Sequence, residues 1–187
     1  SPATSCTIEV VFAPVATGVV GDTINLTYND GSSAQATTRN IQGTGVTPAS
    51  LTISNGPTYD YGSRAVGSTQ AFTFTVSNSG AFSATSVGGT GLAAPFSFEG
   101  GSFPGTTGTC GTTVAGGANC TIVVEYSPVA TGVHADTIDL AYDDGASVQS
   151  ATANVQGTGV NPALLVISET DPYDFGSIAV SSSTSYE

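Results

Sequence analysis

The fold of this chain is decided by the stretch Thr121-Ile122-Val123-Val124-Glu125-Tyr126. Every second side chain in it, beginning at Ile122, is apolar or aromatic, which is the period-two pattern of a strand with one buried face. Residues 72–76 and 138–142 alternate in the same way. No window keeps apolar residues at helical spacing, and Gly or Pro interrupts nearly every stretch. These patterns predict an all-β fold.

Turn signals separate the predicted strands. Asp143-Asp144-Gly145 lies between two strand-like runs, where Asp tolerates left-handed backbone and Gly supplies a positive φ. This predicts a hairpin whose return strand covers residues 147–155. Roughly seven or eight short strands at this spacing predict an antiparallel β-sandwich. Its predicted core consists of Phe72, Phe74, Ile122, Val124, Ile138 and Leu140.

The chain contains an internal repeat. Residues 6–66 match residues 120–180 at 37 of 61 positions without a gap, an offset of 114 residues. This period exceeds that of helical solenoids and propeller blades, so each copy is expected to be a domain of its own. The earlier copy accordingly predicts strands at residues 8–12 and 24–28.

The repeat also predicts how the chain is divided. We expect residues 1–48 to be the C-terminal part of a preceding sandwich repeat, residues 49–160 a complete repeat, and residues 161–187 the N-terminal part of the following one. The chain then reads as a window of a longer tandem array. Only a short segment containing Pro48 separates consecutive domains, and Pro162 occupies the same place in the next joint. Such a segment is too short and too stiff to act as a flexible Gly/Ser coil.

The charge of the chain excludes two classes of partner. Fourteen acidic side chains stand against two arginines, Arg39 and Arg64, which gives a net charge of -12. Binding to nucleic acid or to an anionic membrane surface requires clusters of Lys and Arg, which this chain lacks. No apolar run is long enough to span a bilayer.

The three cysteines predict one disulfide in each repeat. Cys110 and Cys120 lie close together in the complete repeat, and Cys6 occupies the position of Cys120 in the earlier copy. We therefore expect the partner of Cys6 before residue 1. A reduced pair and a metal site are the alternatives, although a chain with a single histidine offers few zinc ligands. A disulfide indicates an oxidising location and favours the outside of the cell.

Three phrases resemble a known family. Tyr59-Asp60-Tyr61-Gly62-Ser63, Phe72-Thr73-Phe74-Thr75-Val76-Ser77-Asn78 and the run over residues 118–128 are similar to the Ig-like repeats of bacterial choice-of-anchor D proteins. These repeats look related to the wider ASPM, SPD-2 and Hydin group. The resemblance implies tandem Ig-like sandwiches in a long surface or secreted protein, and the cysteine pair points to the bacterial, extracellular branch.

No arrangement of residues predicts catalysis or a cofactor. His134 is the only histidine, and the earlier copy has Val20 in its place. Without a second histidine, the usual serine or cysteine nucleophile arrangements cannot be assembled. The run Gly89-Thr90-Gly91-Leu92-Ala93-Ala94 has the spacing of a dinucleotide fingerprint, but Pro95 denies it the helix that the motif needs. We expect neither an enzyme nor a cofactor.

The strongest metal candidate is a calcium site formed by Glu169, Asp171 and Asp174, since calcium prefers oxygen ligands. At the preceding joint only Asp60 repeats an acidic residue of this set. A structural ion needed at every joint should have its ligands at every joint, so we expect no metal there.

The leading functional hypothesis is a structural segment of a long extracellular tandem-repeat protein that forms a stalk or filament. Its partners are the neighbouring repeats of the same chain, with self-association into filaments as a further possibility. Exchange of the pieces at residues 1–48 and 161–187 between chains is a third hypothesis, but together they fall short of a complete domain.

The alternative is an adhesin that recognises glycans or another surface. Residues 88–108 form the longest irregular insertion, and loops on rigid sandwiches often carry recognition. Its candidate contact residues are Phe96, Phe98 and Phe103.

Overall fold

The computed structural model describes residues 4–168 and 172–185. Their backbone consists of strands, turns and irregular segments, with one short 3-10 turn at Glu99–Gly101. The predicted all-β class is confirmed. The strands are β1 (Gly18–Asn29), β2 (Ala34–Gly45), β3 (Leu51–Ile53), β4 (Thr58–Ala65), β5 (Gln70–Asn78), β6 (Ala84–Thr90), β7 (Phe96–Phe98), β8 (Thr113–Val114), β9 (Asn119–Tyr126), β10 (Gly132–Asp143) and β11 (Val148–Val160).

Strands β3 to β11 form the two sheets of a sandwich. One sheet has the order β4-β11-β10-β6-β8 and the other the order β3-β5-β9-β7. Buried residues from both sheets belong to one hydrophobic core. Strands β1 and β2 form a separate two-stranded sheet.

One strand pair is parallel. β4 runs beside β11 in the same direction, from Thr58 opposite Asn154 to Ala65 opposite Val160. The predicted antiparallel sandwich is therefore wrong at this pair. The reason is a change of sheet: β3 pairs antiparallel with β5, and the chain then turns at Asn55 and crosses to the edge of the other sheet.

The predicted core is largely correct. The Phe72 side chain is only partly buried, because it packs on the margin of the core with its ring stacked on Tyr59 at a centroid distance of 3.9 Å. The other predicted core residues are fully buried, namely Phe74, Ile122, Val124, Ile138 and Leu140.

The hairpin of β1 and β2 repeats the pairing of β10 and β11 without a core. Gly18 pairs with Gly45 just as Gly132 pairs with Gly159. However, Leu26 is 44% exposed, whereas its counterpart Leu140 is fully buried. The β1–β2 hairpin therefore exposes apolar side chains whose counterparts in β10 and β11 are buried in the sandwich.

The strand predicted over residues 8–12 does not form. These residues are irregular, and the Ile8 and Phe12 side chains are exposed. Their counterpart β9 is held between β5 and β7. The described part of the chain gives residues 8–12 no such neighbouring strands, so their alternation is not enough to make a strand.

Residues 161–168 and 172–185 are mostly irregular. Leu165 is 96% exposed, although its counterpart Leu51 lies in β3 and is buried. The division of the chain into parts of three repeats stays a prediction.

The turn between β10 and β11 is held by carboxylate oxygens. Asp144 Oδ1 accepts hydrogen bonds from the backbone N–H groups of Ala146 and Ser147, both at 2.7 Å. These bonds, that of Ser147 first, hold the pKa of Asp144 below its ordinary value. Gly145 has a φ of 94°, as the turn requires. The aspartates of this turn therefore have a structural role.

Candidate functional site

The two ends of the sandwich define where the chain arrives and leaves. β10 and β11 run antiparallel along its length, with residues 144–147 at one end and Gly132 opposite Gly159 at the other. The end that holds residues 144–147 is called the incoming pole, and the end that holds Val160 the outgoing pole. The 13 residues of β11 connect them, which corresponds to about 40 Å of strand.

The segment that leads into the sandwich is bound to the incoming pole. The Ala49 N–H donates to the Asp144 carbonyl at 3.0 Å. Thr47 is held twice: its carbonyl accepts from the Phe82 N–H at 3.0 Å and its hydroxyl from the Ala81 N–H at 2.9 Å. The linker is thus fixed to two different loops of the sandwich.

Asn78 is the hydrogen-bonding centre of this pole. It is 2% exposed, and its Oδ1 accepts from the N–H groups of Ser50 and Gly80, both at 3.0 Å. Its Nδ2 donates to the carbonyls of Phe82 at 2.9 Å and Val114 at 3.1 Å. A single buried amide therefore joins the linker, the loop after β5 and strand β8.

Sequence reasoning missed Asn78 and Thr47. The available signal was weak: Ser77-Asn78-Ser79-Gly80 has a turn-forming composition, but that composition gives no hint that the amide reaches the linker. The partners of Asn78 lie up to 37 positions away in the sequence, at Ala115.

Two glycines permit close packing at the incoming pole. A Cβ atom on Gly80 would collide with the carbonyl oxygen of Pro48. A Cβ atom on Gly145 would lie 2.5 Å from Cδ1 of Phe82, whose ring covers the turn. Both positions therefore exclude larger side chains.

A disulfide joins Cys110 and Cys120, with their Cα atoms 4.9 Å apart. It anchors the loop before β8 to strand β9, where the Cys110 N–H also donates to the Thr121 carbonyl at 3.0 Å. Such a bridge is typical of an oxidising, secreted environment. Cys6 is a free, exposed cysteine, and its expected pairing stays a prediction.

The aromatic residues proposed for ligand binding lie in or against the core. Phe96 is 1% exposed and Phe98 is 6% exposed, both in β7. Phe103 packs edge-on against Phe98 at a centroid distance of 5.6 Å. Phe96 and Phe98 are buried in the core, and the partly buried Phe103 packs against it. The binding role expected of these side chains stays a prediction.

Two tyrosine hydroxyls link the sheets. Tyr61 in β4 donates to the Val124 carbonyl at 2.7 Å, and Tyr142 in β10 accepts from the Leu51 N–H at 3.2 Å. Burial, and then the nearby Tyr59 and Glu125, raise the pKa of Tyr61. Its hydroxyl therefore stays a donor at neutral pH.

His134 has a structural partner. Its Nδ1 lies 2.8 Å from the hydroxyl of Tyr126, a fully buried core residue. The half-buried ring in β10 thus satisfies a hydroxyl that would otherwise be buried without a bond.

The proposed calcium ligands are only partly described. Glu169 and Asp171 lie outside the described residues. Asp174 Oδ1 accepts from the Gly176 N–H at 2.7 Å, which is a local turn contact. Within residues 4–168 and 172–185, no group of three or more His, Cys, Asp or Glu side chains is placed to hold a metal ion.

The sequence matches a family model over the region that forms the sandwich. The model is described as HYDIN/CFA65/VesB-like, Ig-like domain, and it covers residues 52–158. The chain belongs to this Ig-like family. Its Ig-like domain therefore extends from β3 almost to the end of β11, and the resemblance to the Hydin group is confirmed at that level.

Several solved structures resemble the Ig-like domain. The VesB protease of Vibrio cholerae shares 22% identity at a TM-score of 0.47, over 59% of this chain and 32% of that chain. PapD-like domain 7 of human CEP192 shares 12% identity at a TM-score of 0.46, over 63% of this chain and 89% of that domain. A Porphyromonas gingivalis protein of unknown function shares 13% identity at a TM-score of 0.45, over 79% and 69% of the two chains.

This chain thus spans about a third of the VesB protease chain. No curated protein matches it in sequence. In the part of the chain that the structure describes, no helix has the length and apolar character needed to cross a membrane.

Proposed function

We propose that this chain is a structural segment of an extracellular stalk or filament built from Ig-like sandwiches joined head to tail. The segment has no catalytic role in this proposal. Its repeats belong to the bacterial choice-of-anchor D type, which the three phrases around Tyr59, Phe72 and Cys120 support.

The observation that carries the proposal is the position of the two chain ends of the sandwich. The chain arrives at the incoming pole, where Ala49 is bonded to Asp144, and leaves along β11 at the outgoing pole. Domains joined through opposite poles extend in a line, whereas domains joined through one pole fold back on each other. Each added domain then advances the array by about the length of β11.

The linker supports the same proposal. Its hydrogen bonds through Thr47, Ala49 and Ser50 restrict rotation between one unit and the next. The sequence Gly-Thr-Gly-Val and a following proline recur at both joints. The disulfide suits a protein that works outside the cell.

Small-angle X-ray scattering tests the proposal. The full chain would be compared with chains extended in register by one, two and three further copies of the 114-residue repeat. The maximum dimension should increase by about 40 Å with each copy, as expected for strands aligned with the long axis. An increase of less than half that value per copy would show that the units fold back, and the stalk would be rejected.

The adhesin alternative has no specific support. Its candidate residues Phe96 and Phe98 belong to the core. The groove beside Phe103 is small, about 190 Å³, and its lining includes no charged side chain.

A further inference from the structure

The first joint of the chain shows how two units meet. Thr44, Val46 and Pro48 at the end of the hairpin face Phe82 and the turn at residues 144–146 of the sandwich across a groove of about 360 Å³. The turn does not need a polar partner here, because the Asp144 carboxylate is bonded within the turn itself. Val46, Pro48 and Phe82 give the contact its apolar part, and the hydrogen bonds of Thr47 and Ala49 hold the linker in place.

The outgoing pole of the sandwich has the same residues in the same positions. Thr158, Val160 and Pro162 are identical in type to Thr44, Val46 and Pro48 of the first joint. The three residues at 158, 160 and 162 are called the outgoing surface. Val160 is 37% exposed, close to the 44% exposure of Val46.

The backbone beneath the two sets also has the same shape. A Cβ atom on Gly43 would lie 2.7 Å from the Phe12 ring, and one on Gly157 would lie 2.6 Å from the ring of Tyr126. The next glycine in each copy, Gly45 and Gly159, also has corresponding neighbours. Gly45 packs on Pro14 and the Ala16 carbonyl, and Gly159 packs on their counterparts, Pro128 and the Ala130 carbonyl. Two independent copies thus build the same support for the same surface residues.

We infer that the outgoing surface is a docking site for the incoming pole of a following Ig-like sandwich. The partner is a domain that presents an aromatic ring at the position of Phe82 over an Asp-Gly-Ala turn. This inference rests on the proposed stalk and adds to it the contact that fixes the angle between neighbouring units.

The matched residues for a test are Val160 and Val129. Val129 lies in the loop of the outgoing pole and is 81% exposed. It is the control because its counterpart Val15 is also exposed and does not line the groove of the first joint. Val160→Asp places a charge in the docking site. Val129→Asp places the same charge at the same pole outside it.

The experiment uses the full chain extended after Glu187 by a second copy of residues 74–160, which continues the repeat in register. Spin labels are attached to cysteines introduced by Thr152→Cys and by the same substitution in the added domain. Cys6→Ser removes the free cysteine that would also be labelled. Pulsed electron paramagnetic resonance measures the distribution of the distance between the labels. A narrow distribution is expected for the parent and for Val129→Asp, and at least a twofold broadening for Val160→Asp.

A broad distribution in the parent, or equal broadening in both variants, would overturn the docking site. The stalk would survive that result if scattering still showed the increase in length, so the two failures are distinguishable. The unextended chain gives a second measurement that does not depend on folding of the added domain. With labels at Thr37 and Thr152, Val46→Asp should broaden the distribution and Val15→Asp should not; the absence of this difference would equally overturn the inference.

Discussion

The amide of Asn78 is placed where three segments of the chain converge. It bonds the linker through Ser50, the loop after β5 through Gly80 and Phe82, and strand β8 through Val114. An amide can do this because it carries two donors and an acceptor on one rigid group. Loss of the side chain would leave several buried backbone groups without partners.

Asn78→Ala should lower the free energy of unfolding by about 2 to 4 kcal/mol, because buried polar groups left without a hydrogen bond are costly. Chemical denaturation with urea provides the measurement. Asn154→Ala is the control, since Asn154 is exposed and its side chain accepts only from the Thr137 hydroxyl in the described contacts. Equal losses in the two variants would contradict the role of Asn78.

Replacing both Cys110 and Cys120 by Ala should lower the free energy of unfolding by about 2 to 3 kcal/mol, the usual effect of closing a short loop. The melting temperature of the oxidised and reduced protein gives the same comparison without mutation. Cys6→Ser should leave it unchanged, because Cys6 is free and exposed. A melting temperature that does not respond to reduction would contradict a stabilising disulfide.

The cysteine pair and Asn78 mark the limits of prediction at the scale of single residues. Cys110 and Cys120 are close in sequence and rare in type, so their pairing could be predicted. Asn78 is one polar residue among many, and its importance depends on where Ser50 and Val114 come to lie. The glycine-rich composition of residues 88–108 predicts an irregular insertion that carries Phe96 and Phe98, but the tertiary structure uses these two residues as a core strand.

At the scale of elements, two hairpins of related sequence differ in their surroundings. Strands β10 and β11 are covered on one face by the second sheet, whereas β1 and β2 are exposed on both faces. An isolated two-stranded hairpin is marginally stable in water. The difference lies in packing and not in local preference.

Amide hydrogen exchange should reveal this difference within one molecule. The amides of Ile24 and Leu26 should exchange at least about a hundredfold faster than those of Ile138 and Leu140, because a marginal hairpin opens far more often than a core strand. Mass spectrometry of peptic fragments can compare the two hairpins in the same sample. Similar protection in both would show that β1 and β2 are covered in solution.

The turn between β10 and β11 should make stability depend on pH. The folded pKa of Asp144 is below that of the unfolded chain, so its contribution is fully present above the ordinary value of 3.8 and is lost as the pH falls through the folded pKa. The stability difference between the parent and Asp144→Asn should therefore be larger at pH 7 than at pH 2. Urea denaturation at both values measures it, and a difference that grows in acid would contradict this sign.

Strand patterns could be predicted better than strand partners. Alternation predicts β5, β9 and β10, and the Asp-Gly turn predicts the hairpin that β10 forms with β11. The parallel position of β4 beside β11 could not be predicted, since it arises from the crossing after β3, and local sequence does not specify which sheet a short strand joins. Residues 8–12 show the converse, because a strand pattern without neighbouring strands remains irregular.

At the scale of the whole molecule, the chain connects the two poles of one sandwich. This arrangement follows from the way the chain enters the sandwich. The first edge segment is divided between the two sheets, with β3 in one and β4 in the other, and the last strand, β11, pairs with β4. The repeat could be recognised in the sequence, and so could the shortness of the linker. The direction in which the chain leaves the domain could not, because it depends on the parallel pairing of β4 and β11.

That parallel pair determines how the domain would carry tension. If the ends of the domain were pulled apart, β4 would be drawn toward one pole and β11 toward the other, and their six paired positions would be loaded in shear at the same moment. When an antiparallel pair is pulled from adjacent ends, its inter-strand hydrogen bonds break one after another. A tether that fails only when many backbone bonds break together resists sudden force far better than one that can be peeled.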